Sequence, residues 1–110
     1  MLYTKVSEEK YHFLYSFNPE RFKLYQNYPV IFSGKTKIGF DIPEESKIKL
    51  AIYDVYGRQL KILINRILKA GSYEVEWDAE NLPSNMYIYK LMSGDFVDAK
   101  KMFLHRTDSD

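Results

Sequence analysis

Short segments of alternating apolar and polar side chains, separated by turn signals, restrict this chain to an all-β fold. They cover residues 36–41, 47–53, 60–64, 73–77, 86–92 and 96–104. In the second segment Ile48, Leu50 and Ile52 share one face, and a period of two is typical of a half-buried strand. Turns about every ten residues predict an antiparallel β-sandwich of the immunoglobulin-like or fibronectin-III-like class.

These segments predict six strands, and a seventh if residues 23–30 contribute one. A chain of 110 residues is long enough for one core. We therefore expect an N-terminal extension or linker at 1–21, the sandwich at 22–105 and a polar tail at 106–110. Residues 6–16 are also compatible with a short helix.

Composition excludes several classes of site. Aromatic residues make up 16% of the chain, which favours strands. The net charge of +1 provides no strong field toward nucleic acid or anionic lipid. Without cysteine there is no disulfide, zinc thiolate or cysteine nucleophile, and His12 and His105 stand near opposite ends. We expect no cofactor, no metal site and no catalytic residue.

The first candidate site is the stretch between the second and third alternating segments. It contains Tyr53, Asp54, Gly57 and Arg58. Gly supplies a positive φ and Asp accepts hydrogen bonds from backbone two residues on, so the stretch predicts a turn. An ion pair between Asp54 and Arg58 would contribute at most about 1 kcal/mol. The residues leave open whether a partner also reads this turn.

Other residues are interpreted as determinants of the fold. Gly71 and Gly94 stand in turns, the second in the loop of a hairpin. Tyr73, Val75 and Trp77 share the parity of a core face, although a tryptophan among tyrosines is also compatible with a sugar-binding platform.

A leucine-proline pair that leads into a strand with a tyrosine near its start is typical of a tyrosine corner. Leu82-Pro83 and Tyr87 fit this pattern, in which the phenol bonds backbone a few residues upstream. Asn85 stands where a left-handed turn conformation is expected, which Asn tolerates.

The remaining polar patterns favour solvated faces over chemistry. The alternatives considered are carboxylate pairs (Glu74 with Glu76, Asp95 with Asp98), a calcium loop at residues 78–81, and a basic stripe for nucleic acid (Lys35, Lys37, Lys47, Lys49). None has the spacing or the local field that its chemistry requires. We expect no nucleic-acid partner.

The order of motifs resembles the C-terminal sorting domain of the type IX (Por) secretion system, and is similar also to the Ig-like domain of the flagellar hook-capping protein. The motifs are Leu24-Tyr25-Gln26-Asn27-Tyr28-Pro29, Ile52-Tyr53-Asp54-Val55-Tyr56-Gly57-Arg58, Ala70-Gly71-Ser72-Tyr73, Asn81-Leu82-Pro83-Ser84-Asn85-Met86-Tyr87-Ile88-Tyr89, Gly94-Asp95-Phe96 and Lys100-Lys101-Met102. The resemblance implies a non-catalytic domain that directs a secreted protein to the cell surface. The alternative is an Ig-like structural or accessory module, either hook-cap-like or carbohydrate-associated.

The resemblance also implies partners and site residues. The partners are the outer-membrane translocon, a sortase and an N-terminal cargo protein that this chain lacks. The residues implied in translocon recognition are Gly57, Arg58, Pro83, Tyr87, Lys100, Lys101 and Met102. Those interpreted as structural are Tyr53, Asp54, Gly71, Tyr73, Trp77, Asn85 and Gly94.

Two further expectations concern location and assembly. No apolar run is long enough to span a membrane and no signal peptide is visible, so the chain as written would stay in the cytoplasm unless it is attached to an exported cargo. Unpaired edge strands predict a weak homodimer.

Overall fold

Nine strands and no helix make up the part of the chain that the computed structural model describes, residues 11–15 and 18–106. The strands are β1 (Tyr11–Tyr15), β2 (Lys23–Leu24), β3 (Ile31–Phe32), β4 (Lys35–Ile42), β5 (Ser46–Tyr53), β6 (Gln59–Leu68), β7 (Gly71–Asp78), β8 (Asn85–Ser93) and β9 (Phe96–Leu104).

The strands form two sheets that pack as a sandwich, which confirms the predicted fold class. The four-stranded sheet has the order β1-β7-β4-β2, and the five-stranded sheet has the order β3-β9-β8-β5-β6. All pairings are antiparallel except β3 with β9, which is parallel. Edge strands are therefore β1 and β2 in the first sheet and β3 and β6 in the second.

The core lies between the sheets and follows the predicted alternation on most strands. Its fully buried members include Ile38, Phe40, Ile48, Leu50, Ile52, Tyr89, Leu91 and Met102. Phe40 lies opposite Tyr73 in the register of β4 and β7, and their rings stack with centroids 5.4 Å apart. Burying each large apolar side chain stabilises the fold by roughly 1.5–3 kcal/mol, so this shared face determines the register.

On β6 the predicted alternation is wrong. Leu60 and Ile62 are exposed, whereas Leu63 and Ile64 are both buried. The register of β5 with β6 shifts twice, which leaves Leu63 and Leu60 as extra residues on the β6 side. Each bulge turns the following side chains to the other face, and edge strands are where bulges are common.

The N-terminal region contributes a strand where a helix was considered. β1 pairs with β7 and buries Tyr11, whose ring lies 5.8 Å from that of Tyr73. Residues 11–15 of the expected extension are therefore part of the sandwich, because pairing at a sheet edge outweighs weak local propensity. Residues 1–10 lie outside the described residues.

The expected seventh strand over residues 23–30 is shorter than predicted. Only β2 forms there, followed by a single bridge between Tyr28 and Lys37 and a cis peptide bond between Tyr28 and Pro29. Side-chain hydrogen bonds organise the rest of this segment.

Candidate functional site

The stretch from Tyr53 to Arg58 is a turn held by one carboxylate. Asp54 Oδ1 accepts hydrogen bonds from the backbone N–H groups of Tyr56 and Arg58, both at 2.9 Å, and Oδ2 lies 2.7 Å from Arg58 Nε. Gly57 has φ +84°, which an L side chain rarely adopts. The predicted turn and ion pair are confirmed.

Electrostatics at this turn favour the ionised carboxylate. Burial raises the pKa of Asp54, but the hydrogen bonds from Arg58 and Tyr56 outweigh it, and the pKa lies below its ordinary value. The Arg58 side chain is 72% exposed and lies 5.3 Å from the ring centroid of Tyr56, which is itself exposed. A partner therefore has access to Arg58 without disturbing the turn.

The predicted tyrosine corner is present. Tyr87 is buried, and its phenol donates a hydrogen bond of 2.7 Å to the carbonyl oxygen of Pro83. Burial raises the pKa of Tyr87, so the phenol stays neutral as a donor. Pro83 and Tyr87 thus fix the loop to the start of β8.

Replacement of the corner tyrosine tests this role. We expect Tyr87→Phe to lower the free energy of unfolding by about 1 kcal/mol, because one intramolecular hydrogen bond is lost while the ring stays packed. Urea unfolding followed by circular dichroism measures the change. An unaltered midpoint would show that the bond contributes nothing.

The expectation for Asn85 is wrong. Asn85 is the first residue of β8, and among the described non-glycine residues the positive φ belongs to Glu80, at 51°. Asp78 Oδ1 accepts from the N–H of Glu80, which places the sharp turn five residues earlier than predicted. Gly94 occupies the predicted hairpin loop with φ +58°.

A buried polar network fixes residues 25–30 and was not foreseen. The Tyr89 phenol donates to the carbonyl of Tyr25 and accepts from the N–H of Asn27, both at 2.7 Å. Asn27 is 1% exposed, and its amide donates to Pro29 O at 2.8 Å and Thr36 Oγ1 at 3.0 Å. The motif Leu24-Tyr25-Gln26-Asn27-Tyr28-Pro29 contains the network, but nothing in the sequence indicates the pairing with Tyr89, which lies 62 residues away.

Alkaline pH is expected to unfold the domain because two buried phenols must stay neutral. Burial raises the pKa of Tyr89 and of Tyr73 from 10 to about 12, with Tyr11 adding to the shift at Tyr73. The native state then holds protons that the unfolded chain releases, so this stability is complete below pH 10 and is lost as pH rises through 12. We expect the phenolate absorbance of these two tyrosines to rise at the same pH at which the circular dichroism shows unfolding. Ionisation of every tyrosine near pH 10 in protein that is still folded would contradict the raised pKa of Tyr73 and Tyr89.

The three implied residues of the last strand have different environments. Met102 is fully buried, Lys100 is half-buried, and Lys101 is exposed on the outer side of the five-stranded sheet, opposite Ile88. Met102 therefore acts in the core. Of the three, Lys101 is the one that is exposed to solvent.

One end of the five-stranded sheet brings several candidate residues together. Tyr53 at the end of β5 pairs with Ile88 near the start of β8, and Ile88 pairs with Lys101 near the end of β9. The turn with Arg58 follows Tyr53 directly, and Asp54 acts electrostatically on the phenol of Tyr87. Gly94 lies at the opposite end of β8 and β9.

Arg106, which was predicted to belong to a polar tail, forms hydrogen bonds that hold this end of the sandwich together. Its guanidinium donates to the carbonyl oxygens of Leu82, Ser33 and Glu80, and its backbone N–H donates to Ser84 Oγ at 2.8 Å. The chain just after β9 is thereby tied to the loop that carries the tyrosine corner.

The four lysines weighed as a basic stripe do not form one surface. Lys35 and Lys37 lie on β4 opposite Asp78 and Glu76, whereas Lys47 and Lys49 lie on β5 in the other sheet.

The other chemical alternatives lack the required geometry. Trp77 is 3% exposed and packs against Phe32 and Tyr87, so its ring offers no platform for a sugar. Over the residues that the structure describes, no three His, Asp or Glu side chains form a group suited to a metal ion. The same residues contain no helix that could cross a membrane.

A comparison with protein families finds a match over most of the chain. The model of the secretion system C-terminal sorting domain matches residues 26–105, from the Asn27 network to the residue before Arg106. No curated protein matches the chain.

Proposed function

Because the chain belongs to the family of secretion system C-terminal sorting domains, we propose that it directs a cargo protein through the type IX secretion system to the cell surface. The observation that carries the proposal is the family match over residues 26–105, a range that contains β3 to β9. The domain acts as a sorting signal and performs no catalysis. Its partners are the outer-membrane translocon, a sortase and the cargo protein to which it is attached.

We assign recognition to side chains that a partner can reach. Lys101 is exposed on the outer side of β9, and Arg58 is exposed at the turn after β5. Both lie at the end of the five-stranded sheet where Arg106 fastens the chain. Gly57, Pro83, Tyr87 and Met102 support that end by fixing backbone or core, since a recognition surface needs rigid support. Lys100 is half-buried beside Lys101 on β9.

Translocon dependence tests the proposal. The full chain is fused behind a signal peptide and a reporter, and surface reporter is compared between a type IX-competent cell and the same cell without the translocon. We expect surface reporter in the first and periplasmic reporter in the second. Periplasmic reporter in both cells, with the domain folded, would overturn the proposal.

A further inference from the structure

The outer side of the five-stranded sheet carries lysines without any carboxylate among its outward strand positions. We call this side the lysine face and define it by Lys47, Lys49 and Lys90, apart from Lys101, which is assigned above to translocon recognition. Their cross-strand neighbours are neutral: Ile67, Asn65, Met92, Ala51 and Ala99. These positive charges are therefore not compensated within the face.

The outer side of the four-stranded sheet has the opposite arrangement. There Lys35 lies opposite Asp78 and Lys37 lies opposite Glu76 in the register of β4 and β7, so carboxylates stand next to these lysines. A net charge of +1 for the whole chain is therefore compatible with one locally cationic face.

Apolar side chains stand among the lysines of the lysine face. Ile31, Ile62, Ile67, Val97 and Phe103 are between 41% and 66% exposed. The ammonium of Lys90 lies 4.5 Å from the ring centroid of Tyr53, so cation and aromatic ring share this surface.

We propose that the lysine face docks on an anionic lipid membrane surface. Lysine stems lie along apolar surface while their ammonium groups reach phosphate, and each lysine adds to attraction by a negatively charged bilayer. Protein interfaces, in contrast, are depleted in lysine and use aromatic anchors in pockets. The scattered aliphatic groups and flexible cations therefore fit a fluid anionic surface better than an acidic protein.

This inference goes beyond the proposed function, because it requires neither translocon nor cargo. Docking through this face would hold the sheet flat on the membrane.

Vesicle sedimentation tests the proposal with the full chain. The probes are vesicles of phosphatidylglycerol mixed with phosphatidylcholine, and vesicles of phosphatidylcholine alone. We expect binding to the anionic vesicles, weakened by salt, and little binding to the neutral ones. Equal binding to both, or none to the anionic vesicles, would overturn it.

A matched pair of variants locates the surface. Lys47→Gln with Lys49→Gln is expected to weaken binding to anionic vesicles roughly 25-fold, at about fivefold for each lysine. The control, Lys35→Gln with Lys37→Gln, removes the same charge from the other sheet and should change binding far less. If both double variants lost vesicle binding equally, net charge alone would explain the attraction, and the proposal would be overturned. Binding of the protein to soluble polyglutamate without binding to vesicles would also overturn it.

Discussion

Deletion of residues 100–110 is expected to unfold the domain. The deletion removes Met102 and Leu104 from the core and Arg106 from its carbonyl ligands. Loss of each buried side chain costs roughly 2–5 kcal/mol, against a total stability of about 5–15 kcal/mol for a domain of this kind. Circular dichroism and urea unfolding of the shortened chain measure the outcome.

A cooperative transition with an unchanged midpoint would contradict this expectation. The control is Lys101→Gln, which changes an exposed side chain of the same strand and should leave the free energy of unfolding within about 0.5 kcal/mol of that of the full chain. If export is lost after this deletion, the result therefore does not distinguish loss of the sorting signal from unfolding of the domain.

Tyr89→Phe is expected to lower the free energy of unfolding by about 2–4 kcal/mol. The phenol bonds two backbone groups, the carbonyl of Tyr25 and the N–H of Asn27, and the substitution withdraws both bonds inside the core. The matched control is Tyr87→Phe, which loses one bond. Urea unfolding of the two variants should give the larger loss for Tyr89→Phe, and equal losses would refute the role assigned to the network.

The regular strands could be predicted because their burial follows a period of two. Ile48, Leu50 and Ile52 are buried as expected, and the bond from Tyr87 to Pro83 follows from a local motif. The strand at β6 was predicted, but the face to which each of its side chains points could not be, since the bulges depend on pairing with β5 and on the edge position.

The other features that the sequence did not predict depend on contacts between distant residues. The Asn27 network joins residues 62 positions apart, and Arg106 reaches carbonyl groups on two loops. Net charge gave no sign of the lysine face, because it sums over both sheets, whereas the register decides which lysines meet a carboxylate.

The most direct test of the sorting function measures surface delivery of a reporter fused to the Lys101→Glu variant. Its control is Lys61→Glu, which makes the same charge change at an exposed lysine on β6. With both variants folded, we predict that Lys101→Glu lowers surface delivery about tenfold or more, as expected for a reversed interface charge, and that Lys61→Glu is delivered normally. Equal delivery of the two variants would contradict the assignment of recognition to the last strand.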